Sequence, residues 1–308
     1  MKKRISNLLA LLMCTCLCVC MTACGSKADY TVGIVQLMEH ESLDKATKGF
    51  MDALTEEMTV AGKTVEYDLQ VAGEANLCTT VVNTFTAKNV DLIMANATPV
   101  LLAAANATTK NQIPVVGTSV TDYMDTFANA IPTNVTGTSD GVPFDEQAKM
   151  MIDTLYLQKG DSVGVLYCSN ESNSVIQYEA VKALFESEGI VVKAYTFSET
   201  TELQGIVNRA ASESKAIYVP SDNTVADNDA IVGTICNDKK VPVYTSYGGK
   251  ICYASLAIDY YELGRVTGKM AADTLLGKAT PSEMDIEYLT PTSSYNEDLC
   301  NLLGIEIK

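Results

Sequence analysis

The sequence predicts an α/β chain of two lobes, each built on a parallel sheet. Three observations carry this. Short apolar runs of strand length alternate with helix-length segments from Tyr30 onward, which implies βαβ units. The rhythm breaks once, over Val120–Pro143, and then restarts with a similar order of elements. The chain is 308 residues long, too long for one small core and suited to two domains.

In the first half, Tyr30–Gln36 reads as a strand, Leu43–Glu57 as a helix, Thr64–Val71 as a strand and Asn76–Lys88 as a helix. Val90–Ala95 is the next strand and Val100–Thr108 its helix. Between them Thr98 is placed to cap the helix through its hydroxyl, with Pro99 at the first helical position. Ile113–Val116 closes this half as a fourth strand. Val120–Pro143 carries two prolines and the run T-N-V-T-G-T-S-D-G, a loop composition that reads as a crossing between lobes. The second half predicts helices at Pro143–Leu157, Ser174–Glu188, Thr201–Ala211 and Thr224–Asn237, with strands at Ser162–Tyr167, Val191–Phe197, Ala216–Val219 and Val241–Tyr244. A loop at Tyr247–Lys250, a strand at Ala254–Ile258 and a helix at Tyr260–Leu276 follow. Pro281–Lys308 is a tail with one short strand, Ile286–Leu289.

The first residues are a targeting segment. Lys2, Lys3 and Arg4 precede an apolar stretch, Ile5–Met21, that is too short and Cys-rich for a membrane span. Met21-Thr22-Ala23-Cys24 resembles the lipobox of bacterial lipoproteins, which is cut before the Cys that then carries lipid. Residues 1–23 are therefore expected to be a signal peptide and 24–29 a linker lipidated at Cys24. Losing three basic residues makes a formal net charge of −16 more acidic still, which argues against a nucleic-acid partner. Of ten Cys, five lie at or before position 24; Cys78, Cys168, Cys236, Cys252 and Cys300 are scattered, without C-x-x-C or metal-ligand spacing, and read as small buried residues.

In α/β sheets ligands bind at the corners where strands end and helices begin. The first such corner is Asn96–Pro99. The second, Y-C-S-N-E-S-N-S at Tyr167–Ser174, offers five hydroxyl or amide side chains at a helix start, more than capping needs. The third, V-P-S-D-N-T at Val219–Thr224, places Asp222 either as a helix cap or as a carboxylate facing a ligand cation, and both readings stand. Thr118–Asp122 and Ser246–Gly249 are further polar loops.

Enzyme signatures fail. Gly137–Gly141 matches G-x-S-x-G but follows a loop-like stretch, and His40, the only His, lies far upstream. Gly264–Met270 has the wrong spacing for a P-loop, and His40-Glu41 lacks the second His of a zinc site. No catalytic residue, metal or cofactor is expected.

Several segments together resemble the solute-binding lipoproteins of ABC importers, nearest to the subgroup associated with aromatic amino acids. They are G-I-V-Q-L-M-E-H-E-S-L-D-K-A-T-K-G-F from Gly33, D-L-I-M-A-N-A-T-P from Asp91, N-V-T-G-T-S-D from Asn134, V-G-V-L-Y-C-S-N-E-S-N-S from Val163, V-P-S-D-N from Val219 and D-Y-Y-E-L-G-R from Asp259. The resemblance implies two Rossmann-like lobes joined by a three-segment hinge, the type I periplasmic-binding-protein fold. Lobe 1 would comprise 30–131 plus 248–279, and lobe 2 132–247 plus 280–308. It implies a small-molecule ligand, an amino acid of the aromatic class, held by Gln36, Thr98, Asn173, Ser174, Asp222, Asn223, Tyr247 and Asp259. An ABC permease and ATPase would be partners, with the protein outside the cytoplasm on a lipid anchor. A ligand-sensing lipoprotein of the same fold and a cell-surface α/β hydrolase are the alternatives. With no Trp in the chain, Tyr or Phe must supply any ring stacking.

Overall fold

The computed structural model describes residues 27–307; the signal peptide and Cys24 lie outside the described residues. The first half runs β1 (Tyr30–Gln36), α1 (Glu41–Val60), β2 (Val65–Val71), α2 (Cys78–Lys88), β3 (Leu92–Asn96), α3 (Thr98–Ala107), β4 (Val115–Val120), α4 (Tyr123–Thr126) and β5 (Val135–Ser139). The second runs α5 (Phe144–Leu155), β6 (Ser162–Cys168), α6 (Ser172–Ser187), β7 (Val191–Phe197), α7 (Thr200–Glu213), β8 (Ala216–Val219), α8 (Asn223–Asp227), α9 (Asp229–Lys239), β9 (Val243–Thr245) and β10 (Ala254–Ala257). Then come α10 (Tyr260–Leu275), β11 (Glu287–Tyr288), β12 (Thr292–Tyr295) and α11 (Glu297–Leu303).

These strands form two six-stranded sheets, ordered β2-β1-β3-β4-β5-β11 and β7-β6-β8-β9-β10-β12. Every pairing is parallel except β12 against β10. The two lobes thus share one winding. Central strands such as β3 and β4 are buried along their whole length, as strands covered on both faces must be; β3 reads as an apolar run up to Asn96, whereas β4 is apolar only at Val115–Val116 before Gly117, Thr118 and Ser119. The five cysteines after position 24 are free and buried, as their scatter predicts.

The chain passes between the sheets at 140–143, 258–259 and 289–291, each later than the expected boundaries at 131/132, 247/248 and 279/280. The first error has a clear cause. V-T-G-T-S reads as loop, yet it forms β5, because its hydroxyls find partners in the sheet and behind it. Thr138 Oγ1 donates to Thr118 Oγ1 at 3.2 Å and shares a bond with Thr267 Oγ1 at 2.8 Å. β10 likewise belongs to the second sheet and β11 to the first, correcting the assignment of 248–257 to lobe 1 and of 280–288 to lobe 2. The tail adds β12 and α11, which the sequence reading left as coil.

Two helix starts also differ. Ala97, not Thr98, is the cap of α3, at φ 103° and ψ 153°, a region costly for any residue with a Cβ. Thr98 is already helical, and its hydroxyl accepts from the Thr121 amide at 3.3 Å. The single helix expected at Thr224–Asn237 is broken at Asn228 into α8 and α9.

After the second crossing, α10 returns to lobe 1 and packs on α1. The contact is made by glycines. A Cβ on Gly49 would lie 2.0 Å from the Tyr261 carbonyl oxygen, and one on Gly264 would lie 2.0 Å from that of Ala46. Arg265 adds a bidentate pair to Glu56 at 2.8 and 3.2 Å. The glycines that mimic a P-loop are therefore packing residues. Gly264→Ala should force the helices apart and cost about 1–3 kcal/mol or more. Gly205→Ala, inside α7 with nothing within 4 Å of its Cβ, should instead stabilise by about 0.5–1 kcal/mol. Thermal melts of the two variants should shift in opposite directions; a Gly264→Ala melt at the wild-type temperature would refute the close contact.

Candidate functional site

The corners that follow the strands of both sheets meet across a cleft between the lobes. Two hydrogen bonds close it. His40 Nε2, just before α1, lies 3.2 Å from Asn223 Oδ1 at the start of α8. Gln177 Nε2 of α6 donates to Thr121 Oγ1 at 3.3 Å. Behind them is a cavity of about 10 Å³, the space of a single water. A wider, more open cavity of about 440 Å³ adjoins it and shares His40, Ser42, Ala226, Tyr247 and Tyr260 with it.

The inner cavity is where the described residues concentrate their unpaired polar atoms. Ser119 Oγ, Asp140 Oδ1, Asn173 Oδ1 and Tyr247 Oη are buried without a hydrogen-bond partner, and all four residues line it. Only Asn96 Oδ1 shares that state elsewhere among the described residues. Each such group costs about 1–3 kcal/mol, so four on one cavity is a strong sign of a ligand surface. Ser119 adds backbone strain, at φ 53° beside a register shift between β4 and β5.

Asp140 is the pivotal group. It sits in the first crossing, straight after β5. Its Oδ2 accepts from the Tyr260 hydroxyl at 2.9 Å, while Oδ1 is free of partners. Burial pushes the carboxyl up to about 6, against the opposing pull of bonds from the Tyr260 and Thr121 hydroxyls and its own amide. Tyr260 and Tyr123 are the titratable groups that act on it, and no Lys or Arg lines the inner cavity.

Asp222 is a cap. Its Oδ1 accepts from Val225 N at 2.8 Å and its Oδ2 from Cys168 N at 2.7 Å, and the Ser174 hydroxyl also bonds it. It lines the cavity, but each oxygen already accepts a backbone amide, so of the two readings the structure displays the cap. Burial, with Glu171 close by, raises its carboxyl well above the usual carboxylate range. Glu171 does similar work. Its Oε1 accepts from the amide and hydroxyl of Thr224 at 2.8 and 2.7 Å, and its Oε2 from Asn223 N and Nδ2 at 3.0 and 2.6 Å. Two carboxylates of lobe 2 thus take up the first amides of α8.

The other expected residues divide. Asn173, Asn223 and Tyr247 line the inner cavity. Asn173 Nδ2 donates to Ser221 O at 2.7 Å, which fixes the amide orientation and leaves the carbonyl oxygen towards the cleft. Ser174 is fully buried beneath it. Gln36 does not line the cleft cavities: its amide donates to Met38 O and Asp44 Oδ1, both at 2.7 Å, and accepts from Thr47 Oγ1 at 2.6 Å. Asp259 caps α10 through Tyr261 N and Glu262 N at 2.9 and 3.1 Å, and borders only the outer cavity. Sequence reading missed Asp140, Tyr260 and Glu171, and reached Ser119 only as part of the polar loop Thr118–Asp122. Asp140 is the variable position of the G-x-S-x-G match. Ser139 of that match donates to Thr121 O at 2.9 Å, and His40 pairs with Asn223, so the two do not form a nucleophile–base pair. No cluster of His, Cys, Asp and Glu that could hold a metal occurs among the described residues.

Comparison with known proteins decides the family. The family model of the ABC transporter substrate binding protein matches residues 31–308. The chain belongs to this family. It is 32% identical to the tyrosine-binding protein of Clostridioides difficile over 91% of its own length and 83% of the relative's. It is similar to an L-Trp complex from Streptococcus pneumoniae, at 30% identity and TM-score 0.82, covering 91% of this chain and 96% of that one. A ligand-free, open substrate binding protein from Clostridium difficile covers the same shares at 30% identity, with a TM-score of only 0.65. Equal identity with unequal superposition points to lobe angle. The binding protein described here has its lobes closed, in keeping with its two bonds across the cleft.

Asp222→Ala should remove the α8 cap and strand the Cys168 amide. A cap is worth about 1 kcal/mol and a buried amide about 1–3 kcal/mol, so the ligand-free melting temperature should fall by several degrees. An unchanged melt would show that the carboxylate holds nothing in place.

Proposed function

We propose that this binding protein captures a free amino acid, of the aromatic class, between its lobes and delivers it to an ABC permease driven by its ATPase. The relatives above support the ligand class, since one is named for tyrosine and another holds L-Trp. The observation that carries the reading is Asp140 Oδ1, a buried carboxylate oxygen without a partner on the cleft. A buried charge needs a counter-charge, and an α-ammonium supplies it. Asn173 Oδ1 and the Tyr247 hydroxyl complete the acceptors around that nitrogen. The ring has Tyr247, Tyr260 and Ile258 where the inner cavity opens into the outer one. Opening and closing is a hinge motion at the three crossings. Cys24 carries a lipid that holds the protein at the outer face of the membrane once the signal peptide is cut. None of the helices among the described residues is long and apolar enough to cross a membrane.

The test is Asp140→Asn. Asn keeps the Tyr260 bond but removes the charge. Losing one member of a buried ion pair costs about 3–5 kcal/mol, so calorimetric affinity for tyrosine or tryptophan should drop by about two to four decades. Near-normal affinity would defeat the assignment.

Two pH trends of opposite sign follow. Ligand affinity should fall as pH drops from 7 to 5, because the carboxyl that titrates near 6 loses its charge. Ligand-free stability runs the other way. The folded carboxyl lies above its unfolded value, so its contribution is present at low pH and lost as pH rises through about 6. Ligand-free Asp140→Asn should therefore melt at or above wild type at pH 7, with the margin shrinking towards pH 4. A margin that grows towards acid would contradict the burial of the charge.

A further inference from the structure

The inner cavity is one-sided in its chemistry. Asp140 Oδ1 and Asn173 Oδ1 can only accept hydrogen bonds, and the Ser119 and Tyr247 hydroxyls can accept or donate. Among the described residues, no guanidinium or ammonium lines it. The nearest lysine on the adjoining outer cavity, Lys45, is paired with Glu41 at 2.7 Å. Helix α8, whose start reaches the cleft, has its first amides taken by Glu171 and Asp222. The donor side of Asn173 is spent on Ser221, and Ser174 is spent on Asp222. A ligand ammonium, with three donors and a positive charge, therefore meets a full set of partners. A ligand carboxylate meets hydroxyls and the His40 ring, which burial keeps uncharged and which already pairs with Asn223, beside the like-signed carboxylate of Asp140.

We propose that the cleft is an ammonium site in which the ligand's carboxylate is dispensable, so that it takes primary arylalkylamines as well as the amino acids they correspond to. This rests on the reading of the cleft as the amino-acid site and narrows what that site recognises. Ligand recognition then has two parts: a cation bound among acceptors at the first crossing, and a ring against the tyrosines at the mouth of the outer cavity. The like-signed carboxylate of Asp140 offsets the gain from a second, negative group.

The experiment is titration calorimetry at pH 7.5 with two matched sets of three ligands: tyrosine, tyramine and 3-(4-hydroxyphenyl)propionate, and tryptophan, tryptamine and indole-3-propionate. In the set whose ring fits, the amine should bind within about tenfold of the amino acid or more tightly. The propionate, which lacks the amino group, should bind at least a hundredfold more weakly. Asp140→Asn should weaken the amine at least a hundredfold, which ties the amine to this carboxylate rather than to the outer surface. An amino acid that binds while its amine is a hundredfold weaker overturns this inference and leaves the amino-acid reading intact. Amines that bind while neither amino acid does support the inference and overturn that reading. Silence from all six ligands overturns both.

Discussion

A carboxylate buried at the joint between two lobes, with one oxygen bonded and the other bare, sets the terms for the rest of this molecule. Asp140 lies in the first crossing, and its partner Tyr260 begins the helix that follows the second. The bond between them ties two of the three hinge strands together at the floor of the cleft. Closing the lobes takes Asp140 out of water without offering a cation in return, and burial raises its carboxyl accordingly. An ammonium entering the cleft offsets that cost in the closed state and not in the open one. Differential interaction of this kind is what lets a ligand shift a two-state equilibrium. On the proposed reading, recognition and closure are therefore one event.

The surroundings keep that carboxylate in place. In lobe 2, Glu171 and Asp222 hold the start of α8 against the corner after β6, so Asn173 and Asn223 come to the cleft in fixed orientations. In lobe 1, α10 lies against α1 with glycines in the seam, which sets where Tyr260 can stand. A side chain at Gly264 would move the helix that carries the Asp140 partner. Packing far from the cleft is thus coupled to its chemistry through one helix. The His40–Asn223 bond joins the same two regions from above.

Much of this is written plainly in the sequence. Buried parallel strands give apolar runs, so β3 and β6 are visible, while β4 is read only at its Val115–Val116 start because Gly117, Thr118 and Ser119 look like loop, and the two-lobe plan follows from the repeated alternation. What is hidden is hidden for physical reasons. β5 is made of Thr, Gly and Ser, whose hydroxyls are satisfied only by groups distant in the chain, so it looks like loop, and the first crossing was placed too early. The cleft corners were found by position, but the roles of their residues were not. Asp222 and Asp140 are both acids that follow a strand. Which one is a cap and which is free depends on amides contributed by Cys168 and Val225, a tertiary fact. Glu171 stands out as little in Y-C-S-N-E-S-N-S as any exposed acid would, although it is buried with five donors around it. Conversely, the closing glycines of α10 were noticed, yet only their contact with α1 explains them.

The central claim is that the ligand's positive charge pairs with Asp140. Proton release on binding tests it most directly. At pH 6 the free carboxyl is about half protonated, and an ammonium beside it would lower its pKa and expel that proton. Calorimetry at pH 6 in buffers of different ionisation enthalpy should report release of up to about half a proton per ligand, and Asp140→Asn should abolish most of that release. Proton uptake at pH 6, or a release there that is undiminished in Asp140→Asn, would contradict the pairing.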